Sequence, residues 1–487
     1  MSAAIWQALA GREVTMLEKN TVFGGKVAMH SGGGYTFDIG PTLLTMPFVF
    51  EELFEAAGEK FSDYVDLYKI DPICRYFWSD GSVLDAVHSV SQMKDNLSNL
   101  SKIDSERYKD YLEYSKEIYD LTAETFLFSP FSRARDFFNF STAKLLPNIL
   151  KLDAWRSVHK ANSSFFNDTR IRQLFDRYAT YNGSNPYSAP ATLNIITHVE
   201  YGLGSYAIRG GMRKLGEAMY MLARKVGVKF RFGESIGDLV TNNRRISAII
   251  TDQSRYDSSE AIVISNIDVV ETYRHYIGSA INYSNKLQKL EPSLSGLIIC
   301  WGIEGRSDEL ALHNIFFSDD YHKEFKQIFE DRSIPDDPTY YISISSRHSE
   351  RDAPQGFESW FILVNAPYIS QDNQDTKDRN GMYLMLKEKL LGKLKQSGID
   401  VSGRIRYEYY IDQQRLYDRY GSNKGSIYGI SSNSQLAAFK RPPNNDPNFD
   451  NLFFAGGSSH PGGGMPLVSL SGKHASTLAM DYLSSKK

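Results

Sequence analysis

Cysteine is almost missing from this chain. Cys74 and Cys300 are the only two in 487 residues, too few for a disulfide framework or a thiolate metal site, and that usage fits a reducing compartment. The ten histidines show no HExxH or comparable spacing, so no metal cofactor is expected. Long apolar runs are lacking as well. Leu294 to Ile303 and Trp360 to Val364 are far shorter than the roughly 20 residues a membrane-spanning helix requires. The first residues hold no basic stretch followed by an apolar one, so no signal peptide is expected. Neither sign of charge prevails. The formal net charge is -3 and the pI about 6.4, which gives no bulk attraction for nucleic acid. Repeats and low-complexity tracts are also absent.

Aromatic residues, by contrast, make up 13% of the chain, which favours large apolar surfaces or pockets. At this length more than one hydrophobic core is expected, hence two or three domains. The most telling stretch lies near the end. Phe454-Ala455-Gly456-Gly457-Ser458-Ser459-His460-Pro461-Gly462-Gly463-Gly464-Met465-Pro466 joins an apolar strand, Leu452 to Ala455, to a closing helix expected from about Leu467 to Leu483. Five glycines there leave the backbone nearly bare, and the helix start adds unpaired N–H groups and a positive dipole end. Such a loop suits the close approach of a flat or bulky ligand with an electron-rich or anionic edge. The competing reading is a flexible linker.

The beginning of the chain holds a matching pattern. Met1 to Leu9 reads as a helix stopped at Gly11, and Val14 to Leu17 as a short buried strand ending at Glu18. This resembles the second half of a dinucleotide-binding βαβ unit, whose acid bonds a ribose hydroxyl. Only 17 residues precede Glu18, and none forms the GxGxxG loop of the first half. Two expectations follow: the first half lies upstream of the given start, or Glu18 is an ordinary strand-end carboxylate. Gly24-Gly25-Lys26 suits a loop close to a diphosphate, and Gly40-Pro41-Thr42 is a tight turn able to wall a ring system. Farther on, Phe165 to Ala179 reads as one helix, and the strand signals between Leu294 and Tyr410 suit a mixed sheet roofing a cavity, with His313 near its edge.

Taken in order, Glu18-Lys19, Gly24-Gly25-Lys26, Phe37-Asp38-Ile39-Gly40-Pro41-Thr42, Gly210-Gly211-Met212, Ile264-Ser265-Asn266-Ile267-Asp268, His313-Asn314-Ile315-Phe316-Phe317 and His460-Pro461-Gly462-Gly463-Gly464-Met465-Pro466 resemble the flavin-dependent bacterial carotenoid desaturases of the phytoene desaturase type. The resemblance spans essentially the whole chain. It implies an α/β flavoprotein with two dinucleotide-binding-type segments, a Rossmann-like FAD domain incomplete at its N-terminal side, an inserted mixed-sheet substrate domain and a helical membrane-facing subdomain. FAD is the implied cofactor. Residues 1–70, 210–275 and 435–487 are assigned to the FAD domain, 71–95 and 276–434 to the substrate domain, and 96–209 to the helical subdomain. The implied cofactor contacts are Glu18, Gly24, Gly25, Lys26, Gly40, Pro41, Thr42, Ile236, Ser265, Asn266, Gly456, Gly457, Met465, Pro466 and Leu467. Local sequence alone reads Ile236 and Ser265-Asn266 as plain strand and turn.

The implied partner is a lipophilic carotenoid, which needs a long apolar tunnel. From Phe126 to Lys151 aromatic and aliphatic residues alternate with Arg133, Arg135, Lys144 and Lys151. That pattern suits an interfacial helix, or equally the packing of a helical subdomain. The corresponding expectation is a peripheral protein on the cytoplasmic face of the cell membrane, of open oligomeric state. His198, Glu200 and His313 are candidate proton-handling groups because each is polar in apolar company, although a histidine so placed is more often structural. Three functions are weighed: carotenoid desaturation, redox-neutral carotene isomerisation, and non-catalytic carotenoid binding after loss of the flavin site. Tyr181 to Pro190 and Pro41 to Pro47 resemble more closely the desaturases of hydroxylated carotenoid ends.

Overall fold

The computed structural model describes residues 1–130, 148, 151–278, 282–370, 379–435 and 440–486. Two parallel strand pairs join the outer parts of the chain to its middle: Thr15–Glu18 with Lys229–Phe232, and Val263–Ser265 with Leu452–Phe454. Parallel neighbours need long crossovers, and both pairs are closed by helices, Arg213–Lys225 before one and Met465–Ser484 after the other. The opening helix, Ser2–Leu9, ends ahead of Gly11, whose φ of +76° is a left-handed value that glycine adopts without strain. It lies along the closing helix. Ser2 Oγ donates to the Ser469 carbonyl and Gln7 Nε2 to that of Ser476, while a Cβ on Gly472 would stand 2.8 Å from the Ala3 nitrogen.

A seven-stranded mixed sheet forms the other half. Its order is Ile405–Ile411, Ser295–Glu304, Phe357–Ala366, Tyr340–Ile344, His313–Phe316, Cys74–Phe77, Val83–Ala86. Only the junction between His313–Phe316 and Cys74–Phe77 is parallel. The strand Ser295–Glu304 is buried on both faces, which explains its unbroken apolar sequence. Leu297, Ile299, Trp301 and Ile303 pack on Met382, Leu386, Leu390 and Leu394 of the helix Arg379–Gln396. Ile298 and Cys300, on the opposite face, meet Tyr35, Phe37 and Ile39. Those three belong to or follow the hairpin Met29–Gly32 and Tyr35–Asp38. Thus one face of the sheet is capped by a helix, and the other roofs the interior.

Several local expectations need correction. The helix expected over Phe165 to Ala179 is shorter, Thr169–Asp176: Phe165 ends the preceding helix Val158–Phe165, and Arg177–Asn182 tightens to 3-10 turns. Phe166 is extended, the buried Asp104 carboxylate accepts from the Asn167 and Asp168 amides, and Asp168 caps the second helix. The closing helix begins at Met465, two residues earlier than expected, because Pro466 tolerates the first turn, where no amide partner is needed. The strand holding His313, expected near an edge, is interior, fifth of seven. Most of the stretch from Phe126 to Lys151, with Arg133, Arg135 and Lys144, lies outside the described residues. Among the described residues no helix is long and apolar enough to cross a membrane.

One buried ion network ties the hairpin to the helix Arg213–Lys225. Arg213 Nη2 lies 2.6 Å from Asp352 Oδ1, Arg213 Nη1 lies 3.3 Å from Asp38 Oδ1, and Asp38 Oδ2 accepts from the Met212 amide at 2.6 Å. Burial pushes the Asp38 carboxyl up against the opposing pull of Arg213. Arg213→Ala leaves two buried carboxylates facing one another. A loss of about 3–5 kcal/mol is expected, measurable by urea unfolding, and an unchanged midpoint would show that the network is neutral.

Candidate functional site

The two halves enclose one cavity of about 880 Å³. Its first arm is built from turns. Gly24 and Gly25 have φ of +107° and +57°, and a Cβ on Gly40 would fall 1.9 Å from the Lys26 carbonyl oxygen. The Gly40 turn can therefore press onto the Gly24-Gly25-Lys26 loop only as glycine. Lys26 opens into the cavity while protein surrounds it, and desolvation lowers its pKa to about 8 against the pull of Asp268. Its Nζ donates to the Ile427 carbonyl at 2.6 Å. Glu18 stands at the strand end and is tied locally, its Oε1 accepting from the Asn20 amide and Nδ2.

The closing loop supplies the facing wall. Asn266 Nδ2 donates to the Ala455 carbonyl at 2.9 Å, and a Cβ on Gly456 would stand 2.6 Å from that same nitrogen. Arg441 holds the loop from behind by donating to the carbonyls of Gly457 and Ile430. Gly464 precedes the closing helix, which has no side-chain cap, and a Cβ there would meet open space. The helix start therefore offers uncapped N–H groups and a positive dipole end to this wall.

The second arm is mostly apolar and runs beneath the sheet, where Cys74, Ile298, Ile315, Phe361 and Leu363 form the roof. One polar group of this arm is Glu200, fully buried. Its Oε1 accepts from Tyr178 Oη at 2.7 Å and from Arg177 Nη2 at 3.1 Å, and its Oε2 from Tyr181 Oη at 2.6 Å. Arg177 in turn donates to Tyr76 and lies over the Tyr178 ring. A further polar feature is a chain of three. Thr42 Oγ1 is 2.5 Å from Tyr341 Oη, which is 2.7 Å from His313 Nδ1. Burial lowers the His313 pKa to about 3, helped by His348 and Arg177, so the ring is neutral at ordinary pH.

Of the residues singled out from sequence, Glu18, Gly24, Gly25, Lys26, Gly40, Pro41, Thr42, Asn266, Gly456, Gly457, Met465, Pro466, Leu467, Glu200 and His313 line this one cavity. Three do not. His198 lies tilted beside the Tyr119 ring on a helical turn, Ile236 opens a strand opposite Thr251, and Ser265 pairs with Phe454 one residue before the lining Asn266. Lining residues that sequence reasoning passed over include Tyr341, Arg177, Tyr420 and Ser426. Tyr341 carries no local signal, being one aromatic in an alternating strand.

The donor set fits a flavin dinucleotide. Glycine turns leave close-approach surface, Lys26 supplies a cation and the closing helix a positive end. Tyr420 Oη and Ser426 Oγ are buried, line the cavity and have no hydrogen-bond partner among the described residues. Residues 1–292 match the family of flavin containing amine oxidoreductases.

The chain belongs to that family. It is an FAD-dependent oxidoreductase, of the bacterial carotenoid desaturase type. It is 36% identical to a 1-hydroxycarotenoid 3,4-desaturase of Flavobacterium sp. over 97% of this chain and 95% of that protein. It is 32% identical to a 4,4'-diaponeurosporene oxygenase of Staphylococcus aureus (97% and 94% covered) and 33% identical to a 4,4'-diapolycopene oxygenase of Methylomonas sp. (97% and 94%). Among solved structures, an oxidoreductase from Methanosarcina mazei superimposes with a TM-score of 0.66 at 14% identity, covering 99% of this chain and 97% of that one. A redesigned putrescine oxidase does so at 0.63 and 13% identity, covering 99% and 96%. These likenesses establish the fold of the flavoprotein.

Flavin affinity is expected to be flat on the acid side of about 8 and to weaken on the alkaline side as Lys26 loses its charge. Lys26→Met should weaken binding and flatten the profile. Flavin fluorescence titrations across pH test this, and identical profiles for both proteins would remove Lys26 from the flavin's surroundings.

Proposed function

We propose that this flavoprotein desaturates an acyclic carotenoid. The observation that carries the reading is the continuity of the cavity, from the glycine turns of the cofactor arm to the apolar roof of the second arm. An elongated hydrocarbon gains its binding energy from apolar burial, and such a chamber suits it where a polar pocket would not. The activities named for the relatives support the same substrate class.

Removing two hydrogens from an unactivated C–C bond needs a hydride acceptor, which no side chain supplies and FAD would supply when bound. The chain's own residues do the rest. The apolar roof residues hold the polyene and exclude water. Arg441 and Asn266 fix the backbone of the closing loop, so that Gly456 and Gly457 would present bare backbone to a flat ring. The start of the closing helix favours negative charge beside it. Glu200 has both oxygens engaged by Arg177, Tyr178 and Tyr181, and in this arrangement it shapes the chamber wall.

Incubation of the flavin-loaded protein with an acyclic hydroxylated carotenoid, phytoene and poly-cis lycopene tests the reading. A longer conjugated chromophore with the loss of two hydrogens is expected. A changed isomer at unchanged mass would replace it with a redox-neutral isomerase.

The substrate's insolubility further supports peripheral contact with the cytoplasmic face of the cell membrane. Phe126 and Leu127, at the start of the basic aromatic stretch, and Leu152, just after it, line the cavity. Replacing Arg133, Arg135, Lys144 and Lys151 by Glu should abolish co-sedimentation with anionic liposomes. Undiminished co-sedimentation would reject this stretch as the membrane contact.

A further inference from the structure

Among the described residues, His313 carries the one buried polar side-chain atom of the second arm that has no hydrogen-bond partner. His313 is 3% exposed, lines the cavity, and its Nε2 has no hydrogen-bond partner among the described residues. An unpaired buried ring nitrogen costs stability that evolution of the core would readily remove by a phenylalanine or leucine. The surrounding strands show what the site otherwise selects. On the roof, His313 shares the cavity face with Ile315, Phe361, Leu363 and Ile298. The charged pair farther along is closed, because both oxygens of Glu200 are already taken. Of the two other cavity-lining residues with a buried unpartnered atom among the described residues, Ser426 stands beside Lys26 and Tyr420 packs near Ala28 and Ile39, all on the cofactor arm.

We infer that His313 reads a hydroxyl group on the carotenoid, and so makes this chain selective for an oxygenated acyclic substrate over the matched hydrocarbon. The inference rests on the carotenoid reading above and names the substrate's polar feature. Its chemistry is simple. The ring is neutral, and the Thr42–Tyr341–His313 chain can point its hydroxyl protons either way. When Tyr341 donates to Nδ1, Nε2 carries the proton and donates; when Nδ1 donates to Tyr341, Nε2 accepts. A hydroxyl serves both arrangements, being donor and acceptor at once. A hydrocarbon serves neither and leaves the nitrogen dry and unpaired, which is how a site built for hydrogen bonding rejects the analogue lacking the group. Because Thr42 follows the Gly40-Pro41 turn of the cofactor arm, the same chain ties the hydroxyl's position to the cofactor side of the cavity.

The test compares dissociation constants of the flavin-loaded full chain for an acyclic 1-hydroxycarotenoid and its dehydroxylated counterpart, read from the shift of the polyene absorption band. The wild type is expected to prefer the hydroxylated pigment by roughly 5- to 100-fold. His313→Leu should lose that preference by weakening the hydroxylated pigment while keeping or tightening the hydrocarbon. His313→Gln, which retains a donor and an acceptor, should keep part of it, and Tyr341→Phe should reduce it without touching the pigment's apolar contacts on Phe361 and Leu363. Wild-type binding of both pigments with equal affinity overturns the inference alone. Preference for the hydroxylated pigment that survives in His313→Leu and His313→Gln overturns the assignment to His313. Binding of neither pigment by the wild type overturns the carotenoid reading and this inference with it.

Discussion

The structure depends on the seating of one hairpin against the large sheet. Tyr35 and Phe37 press onto the face that carries Ile298, Cys300 and Phe361, and Tyr35 fits because position 302 is glycine: a Cβ there would lie 2.4 Å from the Tyr35 ring. Farther out, Tyr407 lies against Gly32 and Gly33, where any side chain would collide with its ring. These contacts join the hairpin to the large sheet through dispersion and apolar burial, which tolerate little displacement once packed. The turn Gly40-Pro41-Thr42 follows directly from the hairpin. Its place under the roof, and so the Thr42 to Tyr341 hydrogen bond, is set by that packing.

The same seating explains how polar groups are distributed inside. Arg213 anchors the hairpin's Asp38 from behind and takes Asp352 with it, so the carboxylates that burial would otherwise expel are paired. Arg177 and Glu200 neutralise each other at the far wall, with three tyrosine hydroxyls completing the network. Beside a far wall whose charges are paired, the His313 nitrogen, without a partner among the described residues, stands apart as a recognition element. The division of labour is spatial: cation and helix end on the first arm, mostly apolar surface with a closed Arg177–Glu200 pair and His313 on the other.

Much of the cofactor arm is legible in the amino-acid order alone. Glycines at 24, 25, 40, 456 and 457 mark places where the backbone must turn tightly or come close to something, and a local steric rule suffices to see them. The opening helix, Glu18 at its strand end and the loop before the closing helix follow from equally local patterns. The helical region between Val158 and Thr197 is less legible, because it is divided by a distant carboxylate, Asp104, which accepts from the amide of Asn167, 63 residues away. The basic aromatic stretch permits two readings, since an apolar face looks alike whether it meets a core or a lipid surface.

By itself, then, the sequence determined the bare-backbone turns, the buried strands and the apolar character of the chamber, because each follows from steric freedom or hydropathy within a few residues. Only tertiary structure decided which polar groups are spent and which remain open. Glu200, His198 and His313 are indistinguishable along the chain as polar residues in apolar company. Folding ties Glu200 to Arg177, keeps His198 off the cavity wall beside Tyr119, and leaves His313 on the cavity wall with one nitrogen that has no partner among the described residues. Those outcomes depend on partners far removed along the chain, and no local pattern encodes a hydrogen bond that the rest of the fold withholds.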